Sequence, residues 1–108
     1  MKLATKVRMV WIDGSVLNGR PLRRGHLCEA FGISVPQASL DLGEFRRRWP
    51  DRLVYDAAAK VYRAAPGSSP VFDADLRITV FKTVHLLARK GGSFSGRAAG
   101  EAAAEVAR

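Results

Sequence analysis

Residues 30–42 read AFGISVPQASLDL, and the order of these residues decides the fold. Gly32 stands where a helix takes a left-handed C-terminal residue, and Ser34, two positions on, is a good N-cap. Pro36 is tolerated in a first helical turn, and Gln37, three residues after Ser34, completes a capping-box pattern. From there Ala38, Leu42, Phe45 and Trp49 recur every three or four residues until Pro50 stops the helix. On the N-terminal side, Leu22 to Phe31 is a short periodic segment with Leu27, Ala30 and Phe31 on a common side. A short helix, a tight glycine-bearing turn and a second, capped helix make a helix-turn-helix.

The flanks extend this unit. Leu53-Val54-Tyr55 and Lys60-Val61-Tyr62-Arg63 are β-prone runs around Asp56-Ala57-Ala58-Ala59, which predicts a hairpin whose turn lacks glycine. A helix-turn-helix followed at once by a hairpin reads as a winged helix. Upstream, Leu3, Val7, Val10 and Trp11 form one helical stripe that Asp13-Gly14 is expected to end. Downstream, Pro66-Gly67-Ser68-Ser69-Pro70 punctuates the chain, and Asp73 or Asp75 can cap a further helix to about Arg89. Leu76, Val80, Val84 and Leu87 line one stripe of it, although its β-branched residues leave a strand open for part of the run. The expected fold class is mainly α with a small β-hairpin: a winged helix-turn-helix over residues 1–70 and a C-terminal helical element over 71–92. An alanine-rich tail, 93–108, forms either a final helix or a frayed end.

The 108 residues allow one domain of ordinary size, and 47% hydrophobic with 26% charged residues is the profile of a folded chain. The formal net charge is +8, which makes a polyanion the first partner to test. Residues 1–66 hold twelve Lys/Arg against six Asp/Glu, much of the excess in two clusters, Arg20/Arg23/Arg24 and Arg46/Arg47/Arg48. Arginine suits bidentate phosphate or guanine contact. The single cysteine, Cys28, excludes an internal disulfide and a cysteine-based zinc cluster. No run of 18 or more apolar residues is present, and charges interrupt every short apolar stretch near the N-terminus, so the expected location is cytoplasmic, nucleoid-associated through DNA, with no membrane contact.

The stretch 30–42, together with Leu53-Val54-Tyr55-Asp56, Lys60 and Tyr62-Arg63-Ala64, resembles the N-terminal winged-helix domain of WYL-domain transcriptional regulators. The nearest likeness is to those associated with bacterial phage-defence islands, and it covers about residues 5–72. The resemblance implies a domain that binds operator DNA as a dimer and represses transcription. The recognition helix would open at Ser34, and the wing would be the hairpin around Asp56 to Lys60. Such regulators continue into a large ligand-sensing WYL domain, whereas this sequence stops at Arg108. The expectation is therefore a short relative or a DNA-binding fragment, with no small-molecule effector, no cofactor and no metal.

With Ala38, Leu42 and Phe45 turned to the core, the residues offered to base edges are Ser34, Val35, Pro36, Gln37, Ser39 and Leu40. Gln37 can pair with adenine or simply close its capping box; Val35, Pro36 and Leu40 suit a thymine methyl. Arg23, Arg24, Arg46, Arg47, Lys60 and Arg63 are the expected phosphate contacts. Leu76, Val80, Val84 and Leu87 are the expected homodimer contact, the other role for that stripe being to complete the core. Catalysis finds no footing. His26 and Cys28, two apart, point away from one another on a helix, and His85 stands alone in an apolar helix. The rival class is a winged helix used to bind protein, or a nonspecific architectural nucleic-acid binder.

Overall fold

The computed structural model describes residues 1–91, with side chains to residue 88. Helix α1 spans Leu3–Ser15, and a 3₁₀ turn at Leu17–Gly19 reverses the chain. Helices α2 (Arg24–Phe31) and α3 (Val35–Arg48) follow, then strands β1 (Leu53–Asp56) and β2 (Val61–Ala64), and helix α4 (Ala74–Gly91). This is the winged-helix arrangement, mainly α with one antiparallel hairpin. The tail 93–108 lies outside the described residues.

Local chemistry sets the turn between α2 and α3. Gly32 takes φ 66°, ψ 31°, the left-handed conformation that costs a side-chain-bearing residue about 1–2 kcal/mol. Its amide donates to the Cys28 carbonyl at 2.8 Å. Ser34 then caps α3, its Oγ accepting the Gln37 amide at 3.2 Å. Only half of the capping box forms, because the Gln37 side chain turns away from Ser34 to Asp41. Ala38, Leu42 and Phe45 are fully buried on one side of α3, against Leu27, Phe31, Met9, Val10 and Ile12.

Two expected boundaries move. Helix α1 does not stop at Asp13-Gly14 but runs through Ser15, and Leu3, expected on its apolar stripe, is exposed. Gly14 is there for space: a Cβ would sit 2.7 Å from Cε1 of Phe81, whose ring stacks on Trp11 at 5.7 Å. Leu22 is not the start of α2. It pairs with Tyr62 as an isolated antiparallel bridge, Leu22 N donating to Tyr62 O at 2.8 Å and Tyr62 N to Leu22 O at 2.7 Å. The chain just before α2 thus docks on β2, which lies between β1 and Leu22.

The hairpin pairs Leu53 with Ala64 and Asp56 with Val61 across a four-residue loop, 57–60. With no glycine available, Lys60 supplies the left-handed residue at φ 59°. The Lys60 amide donates to Asp56 O at 2.7 Å and the Ala59 amide to Asp56 Oδ1 at 3.1 Å, so Asp56 braces the loop from both backbone and side chain.

Helix α4 opens at Asp73, whose Oδ1 accepts the Leu76 amide at 2.9 Å. The β-branched run is helical throughout and packs on α1 and α2. Val80 and Val84, 6% and 5% exposed, lie in the core, and Leu76 packs partly against it. The stripe expected at a dimer contact is therefore turned inward for these three residues, while Leu87 is half-buried. A fully buried carboxylate organises this junction. Asp13 accepts Arg52 Nε at 2.8 Å and the amides of Val71 and Phe72 at 2.9 Å each. Arg52 also donates to the Asp13 carbonyl at 2.9 Å and to Ser68 Oγ at 3.0 Å. One ion pair thus ties the end of α1 to the entry of the wing and to the linker before α4.

Candidate nucleic-acid interface

Helix α3 divides cleanly. Its inner side is core; on its outer side Ser34, Val35, Pro36 and Leu40 are exposed, Val35 by 52% and Leu40 by 67%. Burying an apolar side chain is worth about 1.5–3 kcal/mol, so two such residues left in water by the fold are available to a partner. Ser39 is half-buried, and its Oγ accepts Arg24 Nη1 at 3.1 Å, which brings the first turn of α2 onto the second turn of α3.

Gln37, the other expected base reader, is half-buried and held from behind. Its Nε2 donates to Asp41 Oδ1 at 2.9 Å. Asp41 is itself buried and takes Arg8 Nε at 2.5 Å and Nη2 at 3.3 Å, from α1. Sequence reasoning misses Arg8 and Asp41 as supports of this surface. The i, i+4 spacing of Gln37 and Asp41 is a readable signal for their hydrogen bond, whereas nothing local points to Arg8.

The six expected phosphate contacts fall into different settings. Arg46 places its guanidinium carbon 5.9 Å from the centroid of the Tyr62 ring, joining the far end of α3 to the wing, and Tyr62 packs on Tyr55 at 4.8 Å. Arg47 and Arg48 both pair with Glu44. Exposed pairs of this kind contribute about 0–1 kcal/mol, so a phosphate can take Arg47 from Glu44. Arg63 Nε lies 3.4 Å from Asp56 Oδ2. The Ala59 amide is the main cause that holds the Asp56 carboxyl below its ordinary value against its desolvation, with Arg63 adding to it. Arg23, Arg24 and Lys60 are exposed. Arg23 opens α2, its amide donating to His26 Nδ1 at 3.0 Å, so this histidine serves as a helix-end acceptor. The contacts above gather Arg24 with Ser39 and Arg46 with Tyr62; no comparable contact links Arg23 or Lys60 to α3.

Among the described residues there is no cluster of three or more metal-ligating side chains, and no helix is long and apolar enough to cross a membrane.

The chain is 43% identical over 65 residues to the DNA-binding transcriptional repressor CapW of Escherichia coli (strain KTE188), an alignment covering 60% of this chain and 22% of that protein. It is 42% identical over 65 residues to the repressor of the same name from Pseudomonas aeruginosa, again 60% of this chain and 22% of the relative. With its counterpart from Stenotrophomonas maltophilia the identity is 38% over 64 residues, 59% of this chain and 21% of the relative. The chain thus aligns with about a fifth of the length of these curated relatives. Residues 5–85 match the model of the BrxR transcriptional regulator winged helix-turn-helix domain, and the chain belongs to that family.

Proposed function

We propose that this domain binds double-stranded DNA sequence-specifically through α3 and represses transcription, as a homodimer on an inverted repeat. The observation that carries the reading is the outer half of α3: Val35, Pro36 and Leu40 stand in water on the helix whose opposite side forms the core. In a major groove their apolar surface meets thymine methyls, and Gln37 and Ser39 meet base edges. Arg23 and Arg24 on α2, Arg46 and Arg47 at the far end of α3, and Lys60 and Arg63 on the wing take phosphates on either side. The repressor role rests on the relatives, which are named DNA-binding transcriptional repressors.

One domain of this size buries a small interface on DNA, so a second copy on a half-site about one helical turn away supplies the remaining affinity. Since Val80 and Val84 face inward, the proposed contact is the outer side of α4, where Ile78 and Leu86 are exposed.

The test is a gel shift of the full chain on DNA from upstream of its own gene, in rising salt. Six neutralised phosphates in each copy, twelve for the homodimer, give a log–log slope of about −11, against about −5 for a single copy. Gln37→Ala should cost about 1–3 kcal/mol on the matched site and relax one base position. Weak smearing that ignores sequence and vanishes with salt would replace this reading with a protein-binding or architectural one.

A further inference from the structure

The carboxylate behind Gln37 fixes which way its amide faces. An ionised carboxylate accepts hydrogen bonds and donates none, while the guanidinium of Arg8 donates and never accepts. The atom that Gln37 turns to Asp41 must therefore be the nitrogen, which is the arrangement observed at 2.9 Å. One amide hydrogen is committed to Asp41; the amide oxygen and the second hydrogen are left for a ligand. Asp41 in turn is held by Arg8 through Nε at 2.5 Å and Nη2 at 3.3 Å, across α1 and α3. Asp41 is 2% exposed, too little to offer a base a contact of its own.

We infer that Asp41, anchored by Arg8, is a specificity-determining positioning residue: it presents the Gln37 amide as one acceptor beside one donor and so selects adenine over guanine. Adenine offers the matching pair in the major groove, an N6 amino donor next to the N7 acceptor. Guanine offers two acceptors, O6 and N7, and would set O6 against the amide oxygen. This rests on the DNA-binding reading above and adds to it the identity of one base pair and the residue that sets it.

Asp41→Asn reverses the selection by the same logic. Arg8 Nε donates to Oδ2 at 2.5 Å, whereas Nη2 reaches Oδ1, the oxygen that also accepts Gln37, only at 3.3 Å. The amide introduced by this substitution therefore keeps its oxygen at the short Nε contact, gives up the long Nη2 contact and turns its amino group to Gln37. Gln37 then flips, giving its oxygen to that amino group and showing two donors outward, the complement of guanine. Arg8→Met is the contrasting variant, because the carboxylate of Asp41 stays and continues to take only the nitrogen of Gln37. A merely structural role for the Arg8–Asp41 pair would lower stability in both variants and shift base preference in neither.

The experiment selects bound duplexes from a randomised DNA library with the full-length wild type, Gln37→Ala, Asp41→Asn and Arg8→Met, and sequences them; circular dichroism reports folding. The expected result is one position that is A·T for the wild type, levelled in Gln37→Ala, retained in Arg8→Met and moved to G·C in Asp41→Asn, with a preference of about 5- to 150-fold each way. A Gln37-dependent G·C pair in the wild type overturns the inference, as does an A·T pair kept by folded Asp41→Asn or a wild-type motif unchanged in Gln37→Ala. Should Asp41→Asn fail to fold, the wild-type pair alone decides, A·T supporting and G·C overturning. If the wild type selects no motif, the DNA reading itself falls and the inference with it.

Discussion

Replacing Arg52 by methionine removes the cationic half of the Asp13 ion pair while keeping most of the side-chain volume. Arg52 is 4% and Asp13 0% exposed, so neither charge is screened by water. Breaking a buried pair from one side costs about 3–5 kcal/mol, because the remaining charge keeps its desolvation penalty without its partner. Here the lower end applies. Asp13 retains the amides of Val71 and Phe72, each at 2.9 Å, which leave it partly satisfied. The expected loss is thus about 3 kcal/mol, a fall of about 10–20 °C in Tm for a domain of this size. Urea unfolding followed by far-UV circular dichroism measures it, with an unchanged m-value as evidence that both states keep their surface exposure. The cycle closes with Asp13→Asn alone and the double variant, whose loss should be smaller than the sum of the single losses by about 2 kcal/mol. A loss under about 1 kcal/mol for Arg52→Met, or additive single effects, would refute the view that this pair binds α1 to the wing and the α4 linker.

Other measurements follow from neighbouring features. Asp56, held low chiefly by the Ala59 amide, should titrate below its ordinary 3.8 in the folded protein. Its stabilisation of the wing loop is then present above that value and lost as pH falls below it through the lowered one, and an NMR midpoint at or above 3.8 contradicts the brace. Gly14→Ala sets a helix-propensity gain of about 1 kcal/mol against an overpacking cost of about 1–3 kcal/mol beneath Phe81, so a net loss of up to about 2 kcal/mol is expected. A gain in Tm would mean that the Phe81 ring yields freely.

The parts of this fold written in short-range chemistry are legible before any coordinates. Gly32, Ser34 and Pro50 punctuate α2 and α3, and the period of Ala38, Leu42 and Phe45 states which side is core. The start of α4 is legible for the same reason as a choice between Asp73 and Asp75, and the structure gives the cap to Asp73. What escapes is long-range or aperiodic. Leu22 pairs with Tyr62 through a single residue, and one residue has no alternation to detect. The partners Arg8 and Asp41 stand 33 residues apart and Asp13 and Arg52 39 apart, beyond any local pattern. Asp13-Gly14 reads as a stop signal because turn propensity and a close helix approach select the same dipeptide; the burial of Asp13 and the nearness of Phe81 distinguish them only in three dimensions. At the candidate interface the residue types on α3 are readable, but the orientation of Gln37 is not, since it depends on a carboxylate held from another helix.

The backbone bridge at Leu22 has a consequence for motion. A two-stranded ribbon is marginal alone, and here the third partner is the residue immediately before Arg23 and Arg24. The wing cannot lift without releasing that strap, so hydrogen exchange at the Leu22 and Tyr62 amides should report one common opening free energy. Whatever stabilises the closed bridge at the threshold of α2 disfavours the open hairpin at equilibrium, and stabilising the hairpin returns the effect by the same factor. Two basic regions, far apart along the chain, are thereby joined through one backbone bridge.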